Sequence, residues 1–85
     1  MAPTLVYTQH ALDVLREREL QRAWVEATLA APDWVEPDPS RPGTRRFYRA
    51  LPERQGRYLR VVVVVETATE IRILTAFLDR GAKPK

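Results

Sequence analysis

The run YLRVVVVVE at 58–66, followed after three residues by EIRILTAFL at 70–78, constrains this chain more than any other part of it. Both stretches are rich in β-branched and aromatic residues and contain neither Gly nor Pro, which is the composition of strands. The apolar block VVVVV is far short of the roughly 20 residues that a membrane-spanning helix needs. The two stretches therefore read as a hairpin inside a globular domain. Strand alternation puts Leu59, Val61, Val63 and Val65 on one face, and Ile71, Ile73, Thr75 and Phe77 supply the matching face of the second strand. Matching the faces predicts a three-residue connection over 67–69. In that register Arg72 sits opposite Val64, about 13 Å along the sheet from Arg60 at ~3.3 Å per residue.

The other face then carries Arg60, Arg72, Val62, Val64, Leu74, Ala76 and Leu78. A further strand over 45–51 adds either Arg46 and Tyr48 or Arg45, Phe47 and Arg49. So apolar a face implies a cover: a second copy, an antitoxin-like partner segment, or the tail 81–85 folding back.

Upstream, the period changes. TLVY at 4–7 is long enough only for an edge strand or a lead-in segment, and Thr8 is placed to cap a helix over 9–18. There Ala11, Leu12, Val14 and Leu15 face one way and Asp13, Arg16 and Glu17 the other. The chain turns around Glu19, and a second helical pattern over 20–31 carries Leu20, Trp24, Ala27 and Ala31 on one stripe. Pro32 ends it. WVEPDPSRPG at 34–43 reads as loop after Val35 or Glu36, and RQG at 54–56 as a turn. The expected fold is a single α+β domain over 1–85, with two N-terminal helices packed on one face of a three- to four-stranded, mainly antiparallel sheet.

Composition narrows the chemistry. The 85 residues hold one histidine and no cysteine, so thiolate catalysis and disulfides are excluded and no metal site or cofactor is expected. A net charge of +3, from 14 basic residues that are nearly all arginine against 11 acids, favours an anionic partner without naming one. No secretory leader pattern is evident at the start, so a cytoplasmic location is expected.

His10 decides whether such a chain has acid–base chemistry at all. It lies at the border of the apolar stripe, with Val14 and Arg18 on its side one and two turns later. One reading makes it a capping or packing residue. The other makes its imidazole a general acid or base toward an RNA 2′-hydroxyl or leaving 5′-oxygen, with arginines stabilising the phosphorane; that reading requires His10 to face the open sheet surface or its rim.

YTQHALDVLRERELQ, VEATLAAPDWVEPDPSRPGTRRFYRAL and LRVVVVVETATEIRILTAFLDR together resemble the bacterial domain-of-unknown-function 4258 family along nearly the whole chain. His10, Ala11, Arg18, Leu20, Pro32 and Thr75-Ala76-Phe77 match its pattern. Val14 stands where an arginine is common, and Glu19 replaces the usual glycine between the helices. A more distant resemblance, through IRILTAF and Arg72, is to the RelE and BrnT toxins, where Phe77 occupies the place of a second arginine. These resemblances imply a RelE-like fold and a metal-independent ribonuclease in which His10 and Arg72 are catalytic and Arg18, Arg46, Tyr48 and Arg60 bind RNA. The alternative is a non-catalytic module that uses the same basic face for nucleic acid or protein contact.

Overall fold

A computed structural model describes residues 3–83. The order of elements is β1 (Thr4–Tyr7), α1 (Gln9–Glu17), α2 (Arg22–Ala30), β2 (Trp34–Pro37), β3 (Thr44–Leu51), β4 (Arg57–Thr67) and β5 (Glu70–Asp79). The strands form one five-stranded sheet in the order β1-β5-β4-β3-β2. Three pairings are antiparallel, and β1 runs parallel to β5. The sheet is therefore mixed and has more strands than the three or four expected. The additional strands arise at both sheet edges: TLVY pairs with the start of β5, and WVEP pairs with β3 before the Pro-rich loop begins.

Both ends of α1 and the end of α2 are closed by identifiable contacts. The Thr8 hydroxyl accepts the Ala11 N–H at 3.0 Å and caps α1. At the other end Glu19 adopts φ 55°, in the left-handed region. The Leu20 N–H then reaches the Leu15 carbonyl at 2.8 Å and the Glu19 N–H reaches Arg16 at 3.3 Å. This pair of bonds is a Schellman closure, normally built on glycine. Pro32 follows α2 within two residues, and Arg49 donates to the Ala31 carbonyl at 2.7 Å, satisfying a group the helix leaves open.

Ala11, Leu15, Leu20, Trp24 and Val25 from the helical half pack with Leu51, Leu59, Val61, Val63, Ile73 and Ala76 in one cluster. Both helices thus cover the same face of the sheet. Leu59, Ile73, Val25, Val61 and Val63 are completely buried, and such side chains contribute about 1.5–3 kcal/mol each.

The β4–β5 hairpin departs from the expected parity at one point. Arg72 does pair with Val64 and Ile71 with Val65, but Val62 pairs with Thr75 while Val63 pairs with Ile73, leaving Leu74 as an extra residue. A bulge of this kind reverses every side chain beyond it. Ala76 and Leu78 consequently join the core, whereas Thr75 and Phe77 turn to the open face, the opposite of the sequence expectation. The hairpin turn is also shorter than expected: Thr67 pairs with Glu70 across two residues, and a second register shift between Val65 and Thr67 absorbs the difference.

Candidate functional site

Alternation along β3 settles which of its residues share the open face. Phe47 pairs with the buried Val61 and packs into the core, so Arg45 and Arg49 go with it toward the helices, while Arg46 and Tyr48 face away. Three rows of side chains then cross the open face. The first runs Trp34, Tyr48, Arg60, Phe77; the second Glu36, Arg46, Val62, Thr75; the third Thr44, Val64, Arg72, Val6.

The first row is a stacked layer. Trp34 lies on Tyr48 with ring centroids 4.5 Å apart and meets the edge of Tyr58 at 5.0 Å. Arg60 sits over Phe77 at 4.5 Å and over Tyr48 at 5.8 Å, and its Nε and Nη2 both donate to Asp79 Oδ2, the former at 3.1 Å. Arg18 closes the row from the end of α1, 5.9 Å from the Phe77 ring. Tyr48 is only 3% exposed, so Trp34, rather than Tyr48, presents an aromatic surface outward. Burial first, then the hydrogen bond to Glu36, raises the Tyr48 hydroxyl above its usual range.

The second row is electrostatically closed. Arg46 lies 3.9 Å from Glu36 and 3.5 Å from Asp38. Burial alone would lower its pKa, but Asp38 and Tyr48 outweigh that and raise it, holding Arg46 firmly cationic. Asp38 also accepts from the Ser40 hydroxyl at 2.6 Å and the Ser40 N–H at 2.9 Å. Those two bonds, more than Arg46, hold its carboxyl below the ordinary range.

Between the second and third rows is a cleft of about 260 Å³. Its floor is Val62, Leu74 and Thr75; one wall is His10, and the other is Asp38, Ser40, Arg41 and Thr44 from the β2–β3 connection. His10 reaches this place because β1 ends at Tyr7, paired with Ile73, while β5 continues to Asp79, so α1 starts beside the bulge and packs against β5. Thr44 is 3% exposed, yet its hydroxyl has no hydrogen-bond partner although it lines the cleft. A buried hydroxyl without a partner is uncommon in a folded protein.

The structure thus brings His10, Arg46, Tyr48 and Arg60 to the open face or its rim, with Arg18 at the end of the first row. Arg72 is exposed in the third row, beside Val64, and is not part of the cleft lining. Arg41 and Thr44 were not singled out by sequence. Arg41 is one cation within a Pro-rich loop, and nothing in SRPGT fixes the direction in which it faces. Val62, expected to need an external cover, is 8% exposed within the single chain. From the tail, residues 81–83 line a second recess with Trp34, Arg60 and Asp79; positions 84 and 85 lie outside the described residues.

Among the described residues no cluster of three or more His, Asp or Glu side chains could hold a metal ion, and no helix is long and apolar enough to cross a membrane. Compared with known proteins, residues 7–78 match the family described as Domain of unknown function (DUF4258). No curated protein and no solved structure matches the chain.

Proposed function

The chain belongs to the DUF4258 family, and we propose that it is a toxin-type ribonuclease that cleaves single-stranded RNA without a metal, using the cleft between His10 and Arg41. One observation carries this reading: the only imidazole of the chain lines the same small cleft as an exposed guanidinium and an unpartnered, buried threonine hydroxyl. In the reaction, His10 accepts the proton of a ribose 2′-hydroxyl. The 2′-oxygen attacks the adjacent phosphorus, and the bond to the 5′-oxygen breaks, leaving a 2′,3′-cyclic phosphate. The leaving oxygen takes up a proton, returned by His10 directly or through water. Arg41 neutralises the charge that gathers on the non-bridging oxygens, and Thr44 hydrogen-bonds the sugar or phosphate. Arg72, one row further along the face, serves the neighbouring phosphate. A toxin of this type requires an antitoxin-like partner that covers the open face.

Induced expression tests this. Wild type is expected to arrest growth and fragment cellular RNA, and His10→Ala and Arg41→Ala are expected to abolish both while melting at the wild-type temperature. Unimpaired growth with intact RNA overturns the nuclease. The second reading, a binding module without catalysis, is favoured by a separate observation: Arg46 and Arg60 are already paired with Glu36, Asp38 and Asp79, which removes two cations from the charge available to phosphate.

A further inference from the structure

β1 is an edge strand of the sheet, and among the described residues no strand pairs with its outer side. The N–H groups of Thr4 and Thr8 bond to the Thr69 and Ile73 carbonyls. Because successive peptide groups alternate, Thr4, Val6 and Thr8 point toward β5, and the N–H and C=O of Leu5 and Tyr7 point away from it. Beside this edge, on the helix side of the sheet, is a groove of about 590 Å³ lined by Leu5, Tyr7, Leu29 and Ile71 and, from α2, by Arg22 and Glu26. Arg22 and Glu26 are both exposed. Arg22 lies over the Tyr7 ring at 4.9 Å, and the Tyr7 hydroxyl is buried with no partner.

We infer that this edge joins two copies of the chain, with β1 pairing antiparallel to β1 of a second copy about a twofold axis through Val6. An isologous contact must be complementary to itself, and three features meet that condition. With Val6 on the axis, Leu5 of one copy stands opposite Tyr7 of the other. The outward groups of those residues then exchange four hydrogen bonds, the full complement of the free edge. The same pairing puts Leu5 against Tyr7 of the other copy on the helix side, an aliphatic–aromatic cross-strand pair at the mouth of the groove. On α2, a cation and an anion stand one helical turn apart, and the twofold axis carries Arg22 of one copy toward Glu26 of the other. The product is a ten-stranded sheet with both helical layers on one side and both open faces on the other. The two His10 clefts therefore face the same way, and the inference stands whether or not those clefts cleave RNA.

Sedimentation velocity on the full chain over a concentration series tests it. Wild type is expected to be a dimer at micromolar concentration. Leu5→Pro removes an outward donor without touching a bond to β5, so it is expected to be a folded monomer by far-UV circular dichroism. Arg22→Glu sets like charges opposite each other and is expected to weaken the dimer on the order of tenfold or more, and adding Glu26→Arg is expected to restore it. A wild type that stays monomeric throughout overturns the inference. So does a dimer that none of these substitutions moves. If Leu5→Pro does not fold, the loss and recovery of the dimer in the two charge variants decide the question.

Discussion

The Thr8 hydroxyl accepts the Ala11 N–H at 3.0 Å and lies 3.3 Å from the Leu74 carbonyl, to which it donates. A single oxygen thereby caps α1 and fastens that helix to the bulged residue of β5. Thr8→Ala is expected to destabilise the domain by about 1 kcal/mol, within the ~0.5–2 kcal/mol range for losing an N-cap. Thr8→Ser, which keeps the oxygen, should recover most of it. Urea denaturation of the three proteins checks the order. Equal midpoints for Ala and Ser would show that the hydroxyl contributes nothing.

How much of this arrangement the sequence discloses depends on the distance over which each feature is encoded. The pairing of Arg72 with Val64 was legible, because face parity between two adjacent strands leaves few registers. The bulge at Leu74 was not, since LTAF has the same pattern with or without an extra residue. The position of Phe77 was misjudged for that reason. The bulged residue is bonded by the distant Thr8, a contact that the single-strand pattern does not contain. The cap at Thr8 and the stop at Pro32 are local chemistry and were readable. Trp34 on Tyr48 and Arg41 beside His10 come from pairing across the Pro-rich loop, so their neighbours are set by tertiary structure alone.

Glu19 sits at φ 55° in the closure between the helices, a conformation that is strained for a residue with a Cβ and free for glycine. Glu19→Gly is expected to stabilise the domain by about 0.5–1 kcal/mol, net of the extra entropy glycine has in the unfolded chain. Arg54 donates to the Glu19 backbone carbonyl at 3.0 Å, and a backbone acceptor survives the substitution. Thermal melting checks the sign; a lower melting temperature for the glycine variant would mean that the Glu19 side chain contributes something the backbone does not reveal.

Burial raises the hydroxyls of Tyr7 and Tyr48 above the ordinary value of 10.0. The folded state holds these protons more tightly than the unfolded chain, so their contribution is constant below that value and is lost as pH rises through the raised one. Tyr7→Phe is expected to be neutral or stabilising by up to about 1 kcal/mol near pH 7, because its buried hydroxyl has no partner. Tyr48→Phe gives up the Glu36 hydrogen bond and is expected to lose about 1 kcal/mol there. Both should flatten the alkaline decline in stability measured by denaturation from neutral pH upward. A Tyr7→Phe variant less stable than wild type at neutral pH would reveal a partner for that hydroxyl in solution.

Arg60 bears most directly on whether the open face binds RNA as proposed. Its guanidinium is held by Asp79 and sits over Phe77, 4.5 Å from the ring centroid, with 19% of the side chain exposed, so it packs as part of the aromatic layer. Releasing it should change binding in a calculable way. Each cation that newly neutralises a phosphate steepens the dependence of log affinity on log salt for a single strand by about 0.7. Asp79→Asn is therefore expected to tighten binding to a short single-stranded RNA at low salt and to steepen that slope by about 0.7. Arg60→Ala in the wild-type background should leave the slope nearly unchanged while lowering stability, since it strips the cover from Tyr48 and Phe77 and leaves Asp79 unpaired. Fluorescence anisotropy across a salt series gives both slopes. If Arg60→Ala alone flattened the line by a full step, the Asp79 pair would have to open when RNA binds, and Arg60 would be a phosphate contact in its own right.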